Sequence, residues 1–220
     1  MSELWLVSVA GGLLALDGTA VGQFMFSRPL VAGWITGWIL GEPALGLLIG
    51  ALLELYLLVS FPTGGSRFPE GPTATVVAVG TACGGEGSAA MAVGVVIGLL
   101  WGQVGSVTVT ALRHLNDRLA PDAGTAHPTP GRVAGAHLGA IALDFLRGTA
   151  VTLVGLLLGR LGMEPFTDLW TWHLHHTLAV ILVGGAVSAG IFLRGVGGFR
   201  RRRILFVLGL ALGILGGRLL

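Results

Sequence analysis

Six polar side chains, Asp17, Gln23, Arg28, Glu54, Arg67 and Glu70, are set into a stretch, residues 13–75, that is otherwise dominated by apolar residues, glycine and proline. Carboxylates accept hydrogen bonds, a glutamine amide both donates and accepts, and a guanidinium supplies several donors. Such a set can take the hydroxyls of a neutral polyol, with Phe24, Trp34, Trp38 or Phe68 available to lie against a sugar ring. The same residues also fit a plainer role. An unpaired charge inside a bilayer is costly, so Arg28 can be present only to neutralise Asp17 or Glu54. Covalent chemistry finds no support: the chain has no nucleophile elbow, P-loop or HExxH, and GGEGSAA at 84–90 lacks the Lys-Ser/Thr of a phosphate cradle. No catalytic residue and no cofactor is expected. His173, His175 and His176 read as polar rim residues, without a metal.

The elements that must position these groups are interrupted ones. Apolar arms at Leu4–Leu16, Val31–Leu40, Ala44–Ser60 and Thr73–Cys83 alternate with polar, Gly/Pro-rich knots at Asp17–Pro29 and Glu54–Pro72. The second knot also holds Thr63 and Ser66. An arm of ten to twelve residues covers about 18 Å, well short of a hydrocarbon core of about 30 Å. Paired short or Gly/Pro-interrupted apolar segments point to a substrate site inside a transporter. Irregular backbone at membrane depth survives only where protein or a wet cavity surrounds it. Residues 1–86 are therefore expected to form two broken or re-entrant helical hairpins that carry the site.

Bulk composition gives the class. Hydrophobic residues make up 53% and charged residues 11%, with mean hydropathy +0.84, whereas a soluble domain carries about 25% charged residues. The expectation is a single all-α, polytopic membrane domain, residues 1–220, in which residues 88–220 supply a frame of three to four transmembrane helices. Three spans are predicted at Ser88–Leu112, Val133–Leu161 and Leu174–Leu193, with a shorter one at Ile204–Leu215. The N-terminus has no basic run or cleavage site and reads as the first membrane segment. The 38 glycines fit close helix packing, above all the ladders Gly33/Gly37/Gly41 and Gly46/Gly50. Asp144 and Arg147, three apart, are placed to pair on one helix. Cys83 is the one cysteine, which excludes an intrachain disulfide.

All 13 basic residues are arginines, and four form the run Arg200–Arg203, which reads as a topology signal and not as a nucleic-acid patch. Arginines crowd the 113–132 and 194–203 loops, which are expected to be cytoplasmic. The loop with Glu164, Asp168, Trp170 and Trp172 then faces outward, with Arg160 at that same end as the exception.

The run LDGTAVGQFMFSRPLVAGWITGWILGEPALGLLIGALLEL resembles the IIC membrane subunit of the mannose/fructose/sorbose family of the bacterial sugar phosphotransferase system. The matching elements are RPL at Arg28–Leu30, Gly41-Glu42, the GLxIGAxLEL stretch through Glu54, and Pro69-Glu70; His137 and Arg147 also fall at a family-like spacing. The resemblance implies a permease component of the bacterial inner membrane that is not catalytic alone and moves a hexose-type sugar. It implies a hetero-oligomer with a second membrane subunit, IID, and soluble IIA and IIB subunits that relay phosphate. It also implies that Glu54 and the polar residues from Gln23 to Arg28 contact the sugar, with Glu70 next. Some members carry Gln and His where this chain has Met25 and Ser27, which removes two hydroxyl partners. A divergent transporter or scaffold subunit acting without phosphoryl transfer is the alternative.

Overall fold

A computed structural model describes residues 2–58, 67–121, 129–167 and 170–195, together with 203, 204, 207, 208 and 211. Among the described residues up to 195 its elements are seven helices: α1 Ser2–Thr19, α2 Pro29–Ile39, α3 Pro43–Leu57, α4 Gly71–Ala82, α5 Gly87–Leu119, α6 Pro130–Thr167 and α7 Leu174–Gly195. No strand occurs among the described residues. By length and composition α5, α6 and α7 can each cross a membrane. The chain is thus an all-helical polytopic membrane protein, with short helices in its first half and long ones in its second. The first two predicted spans, 88–112 and 133–161, are extended at both ends, and the third, 174–193, only at its C-terminal end. Thr63, Ser66, Asp168 and Arg200–Arg202 lie outside the described residues, as does most of the predicted last span; positions 203, 204, 207, 208 and 211 in that region are helical.

Local chemistry sets the short helices. Each of α2, α3 and α4 opens on a proline in its first turn, preceded by a residue held out of the helical region. The end of α2 is fixed by Gly41, at φ +80°, with the Glu42 N–H donating to the Gly37 carbonyl at 2.7 Å. The chain then reverses into α3. Eleven residues in α2 reach about 17 Å, too short to span a bilayer.

What the alternation of arms left open was which arms pair. The closest antiparallel partners are α2 and α3, joined at Gly41–Glu42, while α1 lies along α6 and α4 along α5 and α6. The glycine ladders explain the intimacy of α2 and α3. A methyl group at Gly37 would sit 2.5 Å from the Glu42 carbonyl oxygen and 2.9 Å from Gly46 Cα. At the α1–α6 crossing, a methyl at Gly148 would fall 2.7 Å from Ala15 Cβ and 3.1 Å from Gly12 Cα.

The hub is α4, whose residues from Pro72 to Ala82 are all buried. It is apolar or small around its whole circumference, as a helix enclosed by others must be. One side joins Ile49, Leu52 and Leu53 of α3 and Met91 and Val95 of α5 in a cluster closed by Ile181 of α7. The other packs Val76 and Val77 with Val7 and Leu14 of α1, Ala32 of α2 and Leu156 of α6.

Candidate functional site

Both polar breaks open at the same end of the bundle. The C-terminus of α1, the start of α2, the end of α3, the start of α4, the last turns of α5 and the first half of α6 surround one cavity of about 680 Å³. Its polar lining comprises Asp17, Thr19, Gln23, Ser27, Arg28, Arg113, Asn116, His137 and Asp144, with Phe68, Leu57, Val109 and Ile141 among the apolar walls. A volume of this size is in the range of small-molecule sites. The break before α4 is tied well inside the long helices. The Glu70 N–H donates to the Gly102 carbonyl of α5 at 2.9 Å, about 23 Å along that helix from Gly87.

Asp17 is 7% exposed and organises the loop it begins. One carboxylate oxygen accepts the Phe24 N–H at 2.7 Å and the other the Ser27 N–H at 2.8 Å. Beside these anchors Gln23 and Met25 adopt φ of +53° and +70°, a region that non-glycine residues enter only when held there. The Asp17 carboxylate does that holding, and Gly22 at φ +87° gives the turn its start. The result exposes Phe24, Met25 and Phe26 and brings Gln23 into the cavity lining.

Arg28 forms an ion pair with Glu54, which settles the choice between Asp17 and Glu54 as its partner. The other Glu54 oxygen accepts the Leu30 N–H at 3.2 Å, so a carboxylate from α3 occupies the N-terminus of α2. Free N–H groups and the helix dipole favour an anion there. Glu54 itself is not part of the cavity lining; Arg28 is.

A buried, ion-paired carboxylate lies just behind the wall. Glu70, 3% exposed, receives a bidentate pair from Arg147, with Nη2 to Oε1 at 2.6 Å and Nη1 to Oε2 at 3.1 Å. Arg147 also pairs with Asp144 through Nε at 2.9 Å and donates to Thr108 Oγ at 3.1 Å. Thr73 donates to Glu70 at 2.6 Å, and Thr19 hydrogen-bonds the second Asp144 oxygen. The expected Asp144–Arg147 pair is present, but its larger part, the link to Glu70, was not foreseen. Gly105 makes room for it: a methyl there would stand 2.7 Å from Glu70 Cβ and 3.0 Å from Thr73 Oγ.

Of the six expected site residues, Asp17, Gln23 and Arg28 line the cavity. Glu54, Glu70 and Arg67 do not; the first two are bound into ion pairs and Arg67 is exposed. Arg113, Asn116, Asp144 and Thr19 line it and were missed as site residues, and His137 was noted only through its spacing. A helical signal was there to find them. Val109, Leu112, Arg113 and Asn116, and likewise His137, Ala140, Ile141 and Asp144, follow the i, i+3, i+4, i+7 pattern of one helix face. His173 and His176 stack near each other at 6.3 Å on an exposed surface away from the cavity lining.

Long apolar helices packed with short, proline-opened ones whose breaks meet at a polar cavity define a polytopic membrane protein with an internal polar cavity. The chain belongs to the family of PTS system sorbose-specific IIC components, whose description matches residues 1–195. It is 28% identical over 188 residues to the "PTS system sorbose-specific EIIC component" of Lacticaseibacillus casei, a match covering 82% of this chain and 62% of that protein. It is 29% identical over 113 residues to the sorbose-specific component of Klebsiella pneumoniae, covering 48% and 42% of the two chains. To the mannose-specific EIIC component of Escherichia coli K12 it is 29% identical over 108 residues, covering 47% and 41%. The matched segments thus span from about two fifths to 62% of these relatives' lengths. A solved structure titled "Structure of membrane protein" superposes with a TM-score of 0.76 at 18% identity, covering 100% of this chain and 93% of that one, which shows a common fold.

Proposed function

We propose that this protein is the membrane-embedded sugar-conducting subunit of a phosphotransferase-type transport system, and that a hexose-type sugar binds in the cavity among Asp17, Gln23, Ser27 and Arg28. The observation that carries the reading is the convergence of both helix breaks on one cavity whose polar lining can meet a polyol. The family membership supports it. Transport requires partners, and the reading takes these as a second membrane subunit, IID, with soluble IIA and IIB subunits at the cytoplasmic face. The protein sits in the bacterial inner membrane, with the α5–α6 connection and the arginine-rich region after α7 inside the cell. On this reading Glu54 and Glu70 are positioning residues: Glu54 aims Arg28, and Glu70 holds Arg147. Arg67 lies on the exposed approach to α4.

Gln23 offers a clean test because its backbone already adopts a glycine-like φ of +53°. Gln23→Gly removes the side chain without disturbing the loop. Binding of sorbose and mannose to the purified protein in detergent, followed by tryptophan fluorescence, should weaken about tenfold in the variant, the loss of about one net hydrogen bond. Unchanged affinity would remove Gln23 from the site. Failure of the native protein to bind any hexose would overturn the sugar reading itself.

A further inference from the structure

The segment between α1 and α2 walls one side of the cavity on few ties. Residues 20–26 are all exposed, yet Gln23, Met25 and Ser27 line the cavity, while Phe24 and Phe26 stand outside the lining with their rings 6.2 Å apart. The segment is thus a strap with one edge turned to the cavity. Among the described residues its N–H groups bond back to α1. Ala20 and Val21 donate to the Leu16 carbonyl at 2.9 and 3.0 Å, and Phe24 and Ser27 donate to the two Asp17 oxygens. Past the first turn, the Asp17 carboxylate is the anchor. Gly18 shows how closely the strap is drawn down: a methyl there would stand 3.4 Å from Ser27 Cβ.

This position is strained as well as tied. Gln23 and Met25 hold φ of +53° and +70°, and neither is one of the residue types that enter this region readily. The two flank Phe24, whose N–H Asp17 holds. Hydrogen bonds to an ionised acceptor are the stronger kind, so one carboxylate opposes two unfavourable backbone angles. The opposed contributions are of the same order, which makes the strap a two-state element that a small bias can shift. Arg28 at its far end pairs with Glu54, so releasing the strap also frees the start of the α2–α3 hairpin.

We infer that residues 20–27 are a gate on the α1–α2 side of the cavity, with Asp17 as its latch and the positive φ of Gln23 and Met25 as the spring that opens it. Latched, the strap presents Gln23 and Ser27 to the cavity beside Asp17; released, those side chains leave the lining. A ligand that touches both Asp17 and the strap binds the latched form better, and so draws the gate shut over itself. Besides its own place in the lining, Asp17 is then a positioning residue that acts through Gln23 and Ser27. The ligand dependence rests on the sugar reading, whereas the latch and spring stand on the hydrogen bonds and backbone angles alone.

The test uses the full-length protein in lipid nanodiscs, with Cys83→Ala and nitroxide labels at Phe26→Cys on the strap and Leu157→Cys on α6. Both labelled positions are exposed, and Leu157 lies about 20 Å along α6 from Asp144. Electron–electron distances report the latched and released populations, and tryptophan fluorescence reports mannose binding. Asp17→Asn should raise the released-to-latched ratio about tenfold, the loss of about one net hydrogen bond. Met25→Val, β-branched and ill suited to positive φ, should raise the ratio, and Met25→Asn, which tolerates it, should lower it. Position 25 is exposed, so its variants keep the test decisive should Asp17→Asn not fold. Mannose should lower the ratio in the labelled parent protein. One distance distribution shared by all variants would overturn the latch and the spring. A response to Asp17→Asn with Met25→Val and Met25→Asn alike would overturn the spring, and with it the gate. Mannose binding that leaves the ratio unchanged would overturn gating by ligand while the sugar site stands. The expected ranking of variants, without mannose binding in the parent, would support latch and spring and count against the sugar reading instead.

Discussion

At the scale of single residues, the charges of this protein divide into those that face the cavity and those that hold its wall. Arg147 belongs to the second kind. It ties Glu70, at the start of α4, to Asp144 of its own helix and to Thr108 of α5. Deleting one partner of a buried pair leaves the other uncompensated, at a cost of about 3–5 kcal/mol. Arg147→Met should therefore lower the melting temperature in detergent markedly. Combining it with Glu70→Gln should recover at least 1 kcal/mol of the loss expected from simple addition, because the two side chains touch. Strict additivity would mean that the pair is not energetically coupled. Asp17 makes a different case. Its carboxylate both lines the cavity and fastens Phe24 and Ser27, so Asp17→Asn, which still accepts one bond but not two, separates a loop defect from a binding defect.

At the scale of elements, much was legible because punctuation residues act locally. Prolines 29, 43 and 72 open α2, α3 and α4, and Gly41 closes α2, so the broken character of the first half follows from the chain alone. The glycine ladders were equally readable as packing faces. What local signals did not carry was partnership. Nothing within Asp17–Pro29 states that Arg28 reaches α3, or within Glu54–Pro72 that Glu70 reaches α6, since those contacts cross 26 and 77 residues of chain. The cavity face of α5 had a readable spacing but no marking by residue type: its apolar members, Val109 and Leu112, do not differ from lipid-facing residues in type. Substitution can test the hairpin directly. Gly37→Val would drive a side chain into backbone atoms of Glu42 and Gly46, which cannot yield, and should destabilise the protein severely. Gly41→Ala meets nothing within 4 Å but must keep φ at +80°, a cost of about 1–2 kcal/mol. Gly139→Ala, in an open helical position, should be neutral or slightly stabilising. Thermal melting of the three should rank in that order.

At the scale of the whole molecule, the packing narrows which part can move if the protein transports as proposed. The sequence suggested residues 1–86 as one unit against a frame. Yet α1 crosses α6 at close approach at glycines 12 and 148, and α4 is buried from Pro72 to Ala82, so both are packed into the frame. The α2–α3 hairpin differs. One face of α2, at Leu30, Trp34 and Trp38, is exposed, and the outer contact of α3 is with α7, where Ser188 donates to the Tyr56 carbonyl and the Tyr56 hydroxyl to the Ile181 carbonyl. We propose that this hairpin, carrying Arg28 and Glu54 at one edge of the cavity, is the element that opens and closes it. A chain with Cys83→Ala allows the idea to be tested by cross-linking. Leu55→Cys with Gly185→Cys joins α3 to α7 across positions where an added Cβ would lie 3.1 Å from its partner. Ala74→Cys with Gly102→Cys joins α4 to α5 across a comparable 3.3 Å. Oxidation of the first pair should stop sugar uptake in cells carrying the complete transport system, and reductant should restore it. Oxidation of the second pair should leave uptake close to its reduced level. Equal inhibition by both bridges would return α4 to the moving part, and no inhibition by the first would show that the hairpin stays fixed while sugar passes.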